Sequence, residues 1–357
     1  MDRATVDLYE SRAADYEARR RPVHASAAAA FGLSCPDGPV VDLGSGPGWY
    51  SAALGPRAVA LDAAAAMVRR TREVAPGVPG VQADLQALPF ARGSLAGGWA
   101  RNTYVHLRSV DLPMALRDLQ QALMVGGRAE LTLFGGHREG RGVVFPDDDF
   151  PGRWFSTWPT QRLVDVVAGA GLHLYELIEE QRSDGVGLTV RASRPVGLAD
   201  TVGPGMRLLV CGLNPSVHAA EAGVGFVTPS NRFWRAALEA GVVGRPLDPR
   251  HALVEHGVGM TDLVKRPTPR ADALSREEYV DGVARVRRLC EWLRPAAVCC
   301  VGLAGWRAAI DRGATPGWQP TDLGGAPVYV MPSTSGLNAA TPMGTLVDHL
   351  RAALRGA

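Results

Sequence analysis

Hydrophobic and polar positions along the first half of the chain follow two patterns, one typical of buried strands and one typical of amphipathic helices. Four short apolar runs have the length and composition of buried strands: VVDL, AVALD, GGWARN and AELTLF. Two longer stretches place apolar residues at helical spacing: AAAAMVRRTREVA and PMALRDLQQALM. Strands that alternate with helices predict a parallel sheet with helices on both faces. The consecutive segments GLHLYELIEEQ and GVGLTVRASRP predict an antiparallel pair that closes this sheet.

The alternation restarts after a stretch rich in Gly and Pro. The predicted strands of the second half are RLLVCGL, AAVCCVGL and APVYVMPS, and a helix ends the chain. A length of 357 residues suits two domains. We therefore predict an α/β protein with two three-layer αβα domains in series. The first domain spans residues 1–196, a linker spans 197–205, and the second domain spans 206–357.

The distribution of charge differs between the two halves, although the formal net charge of the chain is only +2. Residues 1–200 hold 21 arginines against 23 acidic residues, a balance of −2. Residues 201–357 hold 17 basic residues against 13 acidic ones, a balance of +4. Only the second half therefore favours a polyanionic partner, and the preference is weak.

The lack of a targeting signal and the placement of the cysteines predict a cytoplasmic protein. The N-terminal segment is charged throughout and lacks the apolar core of a secretory signal, and no run reaches the roughly 18 apolar residues of a membrane helix. The chain has five cysteines, and their spacing does not match that of metal ligands. They are Cys35, Cys211, Cys290, Cys299 and Cys300. We expect them to be buried, reduced thiols. The sequence thus predicts no metal site and no membrane contact, and we expect a monomer.

A glycine-rich turn follows the first predicted strand, in VVDLGSGPG. Gly44, Gly46 and Gly48 permit tight backbone geometry and close approach of a ligand, because they have no β-carbon. Asp62 ends the next strand, where a carboxylate can accept hydrogen bonds from the two hydroxyls of a ribose. Asp84 ends a third strand, within reach of a bound base. These features predict a nucleotide-type site.

Residues 5–194 resemble the class I S-adenosylmethionine-dependent methyltransferases. The sequence DLGSGPG fits their motif of an acidic residue followed by GxGxG, whereas NAD-binding folds prefer GxGxxG. The resemblance implies a Rossmann-like fold with S-adenosylmethionine as cofactor. It places Asp42 near the methionine part, Asp62 at the ribose and Asp84 at the adenine ring.

The methyl acceptor is not defined by this resemblance. His106 follows the fourth strand, and two interpretations stay open: a base for an oxygen or nitrogen acceptor, or an ordinary loop histidine. The sequence RNTY at that point does not match the NPPY-like motif of DNA amino-methyltransferases. The acidic run at residues 147–149 predicts a solvated loop, with metal binding as the alternative.

Four motifs of the second half, GLNPS, PSNRFW, GVGMTDLVKRPT and MPSTSGL, occur in the order and spacing of one family. Residues 205–357 resemble the mismatch-specific uracil-DNA and thymine-DNA glycosylases. The resemblance implies a parallel sheet and a double-stranded DNA partner carrying a G·U or G·T mismatch, with no cofactor. Asn214 would orient the attacking water, since an amide cannot accept a proton at neutral pH.

The resemblance also implies a set of substrate and DNA contacts. Phe226 would stack on the extruded base, and Leu337 would fill the gap left in the duplex. The whole predicted substrate set is Gly212, Leu213, Phe226, Asn231, Ser333, Ser335, Gly336 and Leu337. Asn231 is expected to brace the pocket loop. Lys265 and Arg266 are either phosphate contacts or a solvated charge pair.

The chain departs from this family at two points. Ser333–Thr334 stands where bacterial members tend to have Asn-Pro, and Ala339 stands where they carry an arginine. Both departures affect which base is preferred opposite the target base, and not the hydrolysis of the glycosidic bond. The sequence therefore predicts a glycosylase fused to a methyltransferase domain. The alternative is a methyltransferase of a small molecule or nucleic acid whose C-terminal domain only binds DNA.

Overall fold

The computed structural model describes residues 1–183, 185–270 and 273–356. The chain divides into two compact units, one of Met1–Val167 with Leu172–Pro195, the other of Ala168–Gly171 with Val196–Ala357. Residues 198–202 fall inside the predicted linker but are buried. The backbone of Thr201 exchanges two hydrogen bonds with Met260, each at 2.8 Å, so this stretch packs within the second unit. The predicted boundaries at residues 196 and 206 stay a prediction.

The described residues of the first unit form nine strands. They are β1 (Val40–Leu43), β2 (Ala58–Asp62), β3 (Gly80–Gln82), β4 (Leu95–Arg101), β5 (Leu123–Gly135), β6 (Glu139–Arg141), β7 (Trp154–Ser156), β8 (His173–Arg182) and β9 (Gly185–Ser193). Seven of them form one sheet in the order β3-β2-β1-β4-β5-β9-β8. Strands β1 to β5 pair in parallel, and β9 runs antiparallel to both of its neighbours. The predicted parallel sheet with an antiparallel closing pair is confirmed.

In the described part of this unit, seven α-helices accompany the sheet. They are α1 (Arg3–Ser11), α2 (Ala13–Arg19), α3 (Ala25–Ser34), α4 (Trp49–Ala53), α5 (Ala65–Val74), α6 (Leu112–Ala122) and α7 (Thr160–Gly169). Helices α5 and α6 match the two predicted amphipathic segments. β6 and β7 form a separate two-stranded hairpin. All four residues of β1 are buried, as expected for a strand at the centre of a covered parallel sheet.

The second unit has its own five-stranded sheet. Its strands are β10 (Leu208–Gly212), β11 (Val258–Asp262), β12 (Val298–Val301), β13 (Gly317–Trp318) and β14 (Val328–Met331). The order is β11-β10-β12-β14-β13, with β13 antiparallel at the edge. The helices are α8 (Val217–Ala222), α9 (Phe233–Glu239), α10 (Pro249–His256), α11 (Arg276–Leu293), α12 (Ala304–Ala309) and α13 (Met343–Arg355). The predicted α/β class, with a Rossmann-like sheet before a glycosylase-like one, is confirmed.

The cores explain why these segments fold as they do. In the second unit, buried aliphatic residues from β10, β12 and β14 pack against Phe233 and Trp234 of α9 and against Leu346 and Leu350 of α13. All five cysteines are free and buried, as predicted. Within the described ranges, no helix combines the length and the apolar character needed to cross a membrane.

Candidate active sites

The glycine turn joins β1 to α4 at the carboxyl edge of the first sheet. Gly44, Gly46 and Gly48 have φ values of +67°, +53° and +91°, in the left-handed region that favours glycine. A β-carbon on Gly44 would lie 2.0 Å from Cγ2 of Thr103. Both the backbone conformation and the surrounding space therefore require glycine here, and the turn leaves its backbone open to a ligand.

Asp62 lies beside this turn, as predicted. Its carboxylate accepts hydrogen bonds from the backbone N–H groups of Gly46 and Ala64, each at 2.9 Å, and burial raises its pKa to about 6. Asp62 and the turn line the same cleft. Asp42 is buried and accepts a hydrogen bond from the Ser51 hydroxyl at 2.6 Å, and burial raises its pKa to about 7. Asp42 therefore lies behind the turn rather than in the cleft wall.

Asp84 follows β3 by two residues. Its carboxylate accepts hydrogen bonds from the α-ammonium group of Met1 at 2.6 Å and from the Gln86 N–H at 2.9 Å. Met1 and Leu85 line the cleft that contains Asp62, whereas Asp84 borders it through Met1. The structure thus brings two of the three predicted nucleotide contacts, the turn and Asp62, into one wall and places the third beside it.

A cavity of about 660 Å³ opens next to the glycine turn. Seven aromatic side chains contribute to its wall: Tyr9, Tyr16, Trp49, Tyr50, Phe134, Phe145 and Phe155. Asn102, directly after β4, has a φ of +51°. Its Oδ1 atom is buried and has no hydrogen-bond partner in the part of the chain that the structure describes. Backbone strain and unpaired polar atoms concentrate at functional sites. Asn102 is therefore a candidate ligand contact in this cavity, and the sequence analysis did not predict it.

His106 also lines this cavity, and it is only 4% exposed. Its Nδ1 atom donates to the carbonyl oxygen of Trp154 at 2.7 Å, so Nε2 accepts from the Tyr9 hydroxyl at 3.0 Å. The Tyr9 oxygen accepts in turn from Arg153 at 2.7 Å. Burial lowers the pKa of His106 to about 4, so the ring is neutral. His106 is thus a fixed member of a hydrogen-bond chain and not an ordinary loop histidine.

The acidic run at residues 147–149 does not form the predicted solvated loop throughout. The Asp148 carboxylate receives a hydrogen bond from Nε of Arg153 at 2.9 Å, and the side chains of this pair are 8% and 7% exposed. Asp149 pairs with Arg20 at 3.0 Å. Asp148 therefore fixes the guanidinium that contacts Tyr9. The described residues contain no group of three or more metal-ligating side chains.

In the second unit, Gly212 ends β10 and Asn214 follows it at the carboxyl edge of the sheet. Nδ2 of Asn214 donates to the carbonyl oxygens of Arg266 at 3.1 Å and Pro215 at 3.2 Å, and to Oγ1 of Thr268 at 2.8 Å. A carbonyl oxygen can only accept, so these contacts determine which amide atom is nitrogen. Oδ1 consequently faces away from them, and no donor from the described residues reaches it. Asn214 is oriented to accept a hydrogen bond from a water molecule.

Phe226 is held in a strained conformation, with a φ of +57°. Its ring stacks on that of Phe233 with centroids 4.3 Å apart, and its Cζ atom would lie 3.3 Å from a β-carbon on Gly212. The ring therefore lies at the end of β10, next to the Asn214 turn. Oδ1 of Asn231 accepts from the Phe233 N–H at 2.9 Å, so Asn231 braces the start of α9.

Leu337 occupies the loop between β14 and α13 and is 98% exposed. Nδ2 of Asn338 donates to the Ser333 carbonyl oxygen at 2.7 Å, and Arg232 donates to the carbonyl oxygens of Asn338 at 2.6 Å and Thr341 at 2.5 Å. The loop is thus braced while its leucine stays in solvent. The sequence did not predict the roles of Arg232 and Asn338, because no residue spacing indicates which side chains will hydrogen-bond a loop backbone.

The remaining predicted substrate residues surround these groups. Leu213 lies between Gly212 and Asn214 and is half-buried, as are Ser333 and Ser335. The hydroxyl oxygen of Ser335 accepts from the Leu337 N–H at 3.3 Å. A β-carbon on Gly336 would lie 2.6 Å from Cβ of Ser230, so the loop can pack here only with glycine. These residues shape the loop that carries Leu337.

Lys265 and Arg266, predicted as phosphate contacts or as a solvated charge pair, each form an ion pair in the structure. Nζ of Lys265 donates to Oδ1 of Asp200 at 2.6 Å, with the lysine side chain 15% and the aspartate 4% exposed. Arg266 pairs with both oxygens of Glu278, at 2.6 and 2.9 Å. Lys265 is therefore neither a solvated charge nor a free one. Its ammonium group is already committed to a buried carboxylate.

Two family matches correspond to the two units. Residues 199–355 match the uracil DNA glycosylase superfamily, and residues 40–127 match a methyltransferase domain. The chain contains a methyltransferase domain and a uracil DNA glycosylase superfamily domain. The resemblance drawn from the motifs is confirmed for both halves. The glycine turn falls in the methyltransferase match, and Asn214, Phe226 and Leu337 fall in the glycosylase match.

Solved structures similar to this chain include three methyltransferases. One is a S-adenosylmethionine-dependent methyltransferase of Methanosarcina mazei, with 13% identity, a TM-score of 0.39, and coverage of 44% of this chain and 93% of that one. A possible histamine N-methyltransferase of Thermotoga maritima has 16% identity and a TM-score of 0.42, covering 53% and 99%. The 1,6-didemethyltoxoflavin-N1-methyltransferase of Burkholderia thailandensis has 16% identity and a TM-score of 0.42, covering 54% and 88%.

Proposed function

We propose that the second domain is a monofunctional DNA glycosylase that hydrolyses the N-glycosidic bond of uracil in G·U mismatches. Thymine opposite guanine and damaged pyrimidines are further candidate substrates. The observation that carries the proposal is the orientation of Asn214. Its amide nitrogen is bound by Arg266, Pro215 and Thr268, which leaves Oδ1 as a fixed acceptor at the sheet edge. An acceptor that cannot be protonated positions a water without deprotonating it.

This chemistry needs no strong base. The bond between C1′ of the sugar and N1 of the base breaks with its electron pair going to the base, which leaves an oxocarbenium-like sugar. The water held by Asn214 then forms the new C1′–O bond and releases its proton to solvent. A lyase reaction would need an amine nucleophile. The chain has a single lysine, Lys265, and its ammonium group is paired with Asp200.

Access to the base requires that it leave the duplex. Phe226 offers an aromatic ring next to the Asn214 turn, on which a flipped base can stack. Leu337, almost wholly exposed on a braced loop, is suited to enter the vacated position between base pairs. These two side chains support a duplex substrate.

Base release tests the proposal directly. Wild-type protein is incubated with a duplex that contains one G·U pair, and alkali-labile sites are counted. We expect the Asn214→Ala variant to be at least about 100-fold slower, because the water loses its positioning contact. Asn102→Ala, in the other domain, is the matched control and should release uracil at the wild-type rate. Wild type that yields no alkali-labile site, or Asn214→Ala that is equally active, would reject the proposal.

For the first domain we infer S-adenosylmethionine as cofactor and methyl transfer as activity. The residues fit the group: the three glycines leave backbone room, and the Asp62 carboxylate at the end of β2 retains acceptor capacity for ribose hydroxyls. Bound S-adenosylmethionine would supply an electrophilic methyl group. Around it, the chain's own residues form the aromatic cavity and hold His106 neutral. Calorimetry should show binding of S-adenosylhomocysteine that Asp62→Ala weakens.

The cavity of about 660 Å³ also favours a second candidate function, in which methyl transfer is the main activity and the C-terminal domain only binds DNA. Transfer of labelled methyl groups to a metabolite or to nucleic acid, with no base release from any duplex, would support that alternative. Base release abolished by Asn214→Ala would exclude it.

A further inference from the structure

Arg101 is the last residue of β4, and its side chain is half-buried at the carboxyl edge of the first sheet. It lines both the cleft that contains Asp62 and the aromatic cavity of about 660 Å³. Its Nη2 atom donates a hydrogen bond to Nε2 of His24, and the Tyr50 hydroxyl oxygen accepts another from the same guanidinium group. His24 and Tyr50 line the cavity and not the cleft, so the guanidinium group lies on the cavity side.

The guanidinium group of Arg101 has no carboxylate within ion-pair distance among the described residues. Two acidic side chains attract it from further away, and each is paired elsewhere: Glu130 with Arg191 and Glu180 with Arg182, both at 2.8 Å. Burial lowers the pKa of Arg101, because a charge removed from water loses hydration. A cation in this position is costly unless an anion joins it.

The other charged side chains of the cavity wall either form pairs or lie in solvent. Arg153 pairs with the buried carboxylate of Asp148, and Arg20 pairs with Asp149 at 3.0 Å. Two wall residues of opposite charge are exposed: Arg21 and Asp147. Within the described part of the wall, Arg101 is therefore the half-buried charge that lacks a counter-ion.

The apolar part of the wall is suited to a flat, unsaturated ligand. The ring of Phe145 packs with its centroid 4.9 Å from the centroids of both Phe134 and Phe155. The rings of Tyr16 and Trp49 are nearly parallel, with an angle of 20° between their planes. Aromatic side chains contact planar rings through offset stacking and edge-to-face packing. A volume of about 660 Å³ is typical of sites for small organic molecules.

We propose that this cavity binds the methyl acceptor, and that the acceptor is a planar aromatic small molecule whose carboxylate pairs with Arg101. This inference rests on the proposed methyl-transfer function of the first domain. A guanidinium group can hold a carboxylate through two parallel hydrogen bonds, and it has more N–H donors than the contacts with His24 and Tyr50 use. Gly44 and Gly46 of the glycine turn line the same cavity, so an acceptor held here lies beside the predicted cofactor site.

The charges around the cavity favour a small molecule over a nucleic acid. Three consecutive aspartates, at residues 147–149, contribute to the wall, and residues 1–200 carry a balance of −2. A phosphate backbone binds where Lys and Arg are in excess. Methylation of a nucleic acid is therefore an outcome that would contradict the proposed acceptor class.

Calorimetry with two probes tests the contact. The probes are 1-hydroxy-2-naphthoate and its neutral amide, 1-hydroxy-2-naphthamide, each titrated into protein that is saturated with S-adenosylhomocysteine. We expect wild type to bind the naphthoate about 30-fold more tightly than the amide, because a hydrogen-bonded pair of charges contributes more than a neutral contact. Arg101→Met should reduce this preference to about twofold or less, and Arg101→Lys should keep part of it.

Arg72→Met is the matched control, because it removes the same charge from an exposed side chain in the last turn of α5. It should keep the wild-type preference for the naphthoate. Thermal unfolding shows whether each variant is folded. If Arg101→Met does not fold, Arg101→Gln replaces it, since its amide keeps donors for His24 and Tyr50 without the charge.

Three results would overturn the inference. Wild type may bind the two probes equally or bind neither, or the variant without the charge may retain the preference. The third result concerns the carboxylate of the cofactor itself. If Arg101→Met weakens binding of S-adenosylhomocysteine but not of 5′-methylthioadenosine, which lacks that carboxylate, and the probe preference is unchanged, Arg101 belongs to the cofactor site.

Failure of the proposed function would be distinguishable. Wild type that binds neither S-adenosylmethionine nor S-adenosylhomocysteine would reject methyl transfer, and the Arg101 contact is then tested with the same two probes on the unliganded protein. Labelled methyl groups that enter nucleic acid but not the naphthoate would leave methyl transfer standing and overturn the acceptor class.

Discussion

Leu337 gives the sharpest prediction about DNA binding. A leucine that is 98% exposed makes almost no packing contacts in the free protein. The loop that carries it is held by Arg232 and Asn338, not by the leucine itself. Replacing Leu337 with alanine should therefore leave the fold unchanged, with an unfolding free energy within about 0.5 kcal/mol of wild type.

The expected cost appears only when DNA binds. Full burial of a leucine side chain in the DNA would stabilise the complex by about 1.5–3 kcal/mol, and alanine would retain a small part of this free energy. A loss of about 2 kcal/mol corresponds to a rate about 30-fold lower when the wedge is needed to hold the base out of the duplex. A single-stranded substrate leaves no gap between base pairs, so its rate should change little.

The assay measures the single-turnover rate of uracil release from a G·U duplex and from the single strand that contains the same uracil. The informative quantity is the ratio of the two rates, because it cancels differences in active protein. Leu33→Ala is the matched control. Leu33 lies on α3 of the first unit and is 87% exposed, so the same substitution there should leave the ratio unchanged.

Two results would refute this reasoning. A Leu337→Ala variant that loses activity equally on duplex and single strand would indicate that the side chain supports the pocket rather than the opened duplex. A variant with an unchanged duplex rate would show that Leu337 contributes no wedge at all.

Three further predictions follow from the contacts. Gly44→Ala should abolish calorimetric binding of S-adenosylhomocysteine, because its β-carbon would lie 2.0 Å from Cγ2 of Thr103; retained binding would contradict the tight turn. Lys265→Met should lower the unfolding free energy in urea by about 3 kcal/mol through loss of the buried pair with Asp200, while the salt dependence of DNA binding stays the same; a smaller salt slope would restore the phosphate role. Neutral Asp42 contributes stability that is fully present below pH 3.8 and lost as pH rises through about 7, so Asp42→Asn should raise the melting temperature more at pH 8 than at pH 5, and an equal rise would argue against the raised pKa.

Local pattern was enough to predict the strands and the turns that follow them. β1, β2 and β10 coincide with apolar runs, since strands buried on both faces need continuous apolar residues. The positive φ values of Gly44 and Gly46 were foreseeable, because glycine is the residue that tolerates them. These strands and turns depend on residues that are neighbours in the sequence, so they can be predicted from the sequence.

Partners from distant parts of the chain were not foreseeable. Lys265 was predicted to be a phosphate contact or part of a solvated charge pair, but its ammonium group pairs with Asp200, 65 residues earlier. The predicted solvated acidic loop failed at Asp148 for the same reason, since it is buried against Arg153. Charge patterns indicate which residues can form pairs, but only the fold determines which pairs form.

By itself, the sequence determined the two α/β halves, the glycine turn and the Asn214 turn, because each depends on local backbone geometry or on the spacing of apolar residues. The role of the leucine loop was implied only by the resemblance to the glycosylases. Tertiary structure alone decided which atom of Asn214 accepts a hydrogen bond and which carboxylate the ammonium group of Lys265 pairs with. Those outcomes depend on strand register and on burial, which bring distant groups within hydrogen-bond range and change the free energy of their charged forms.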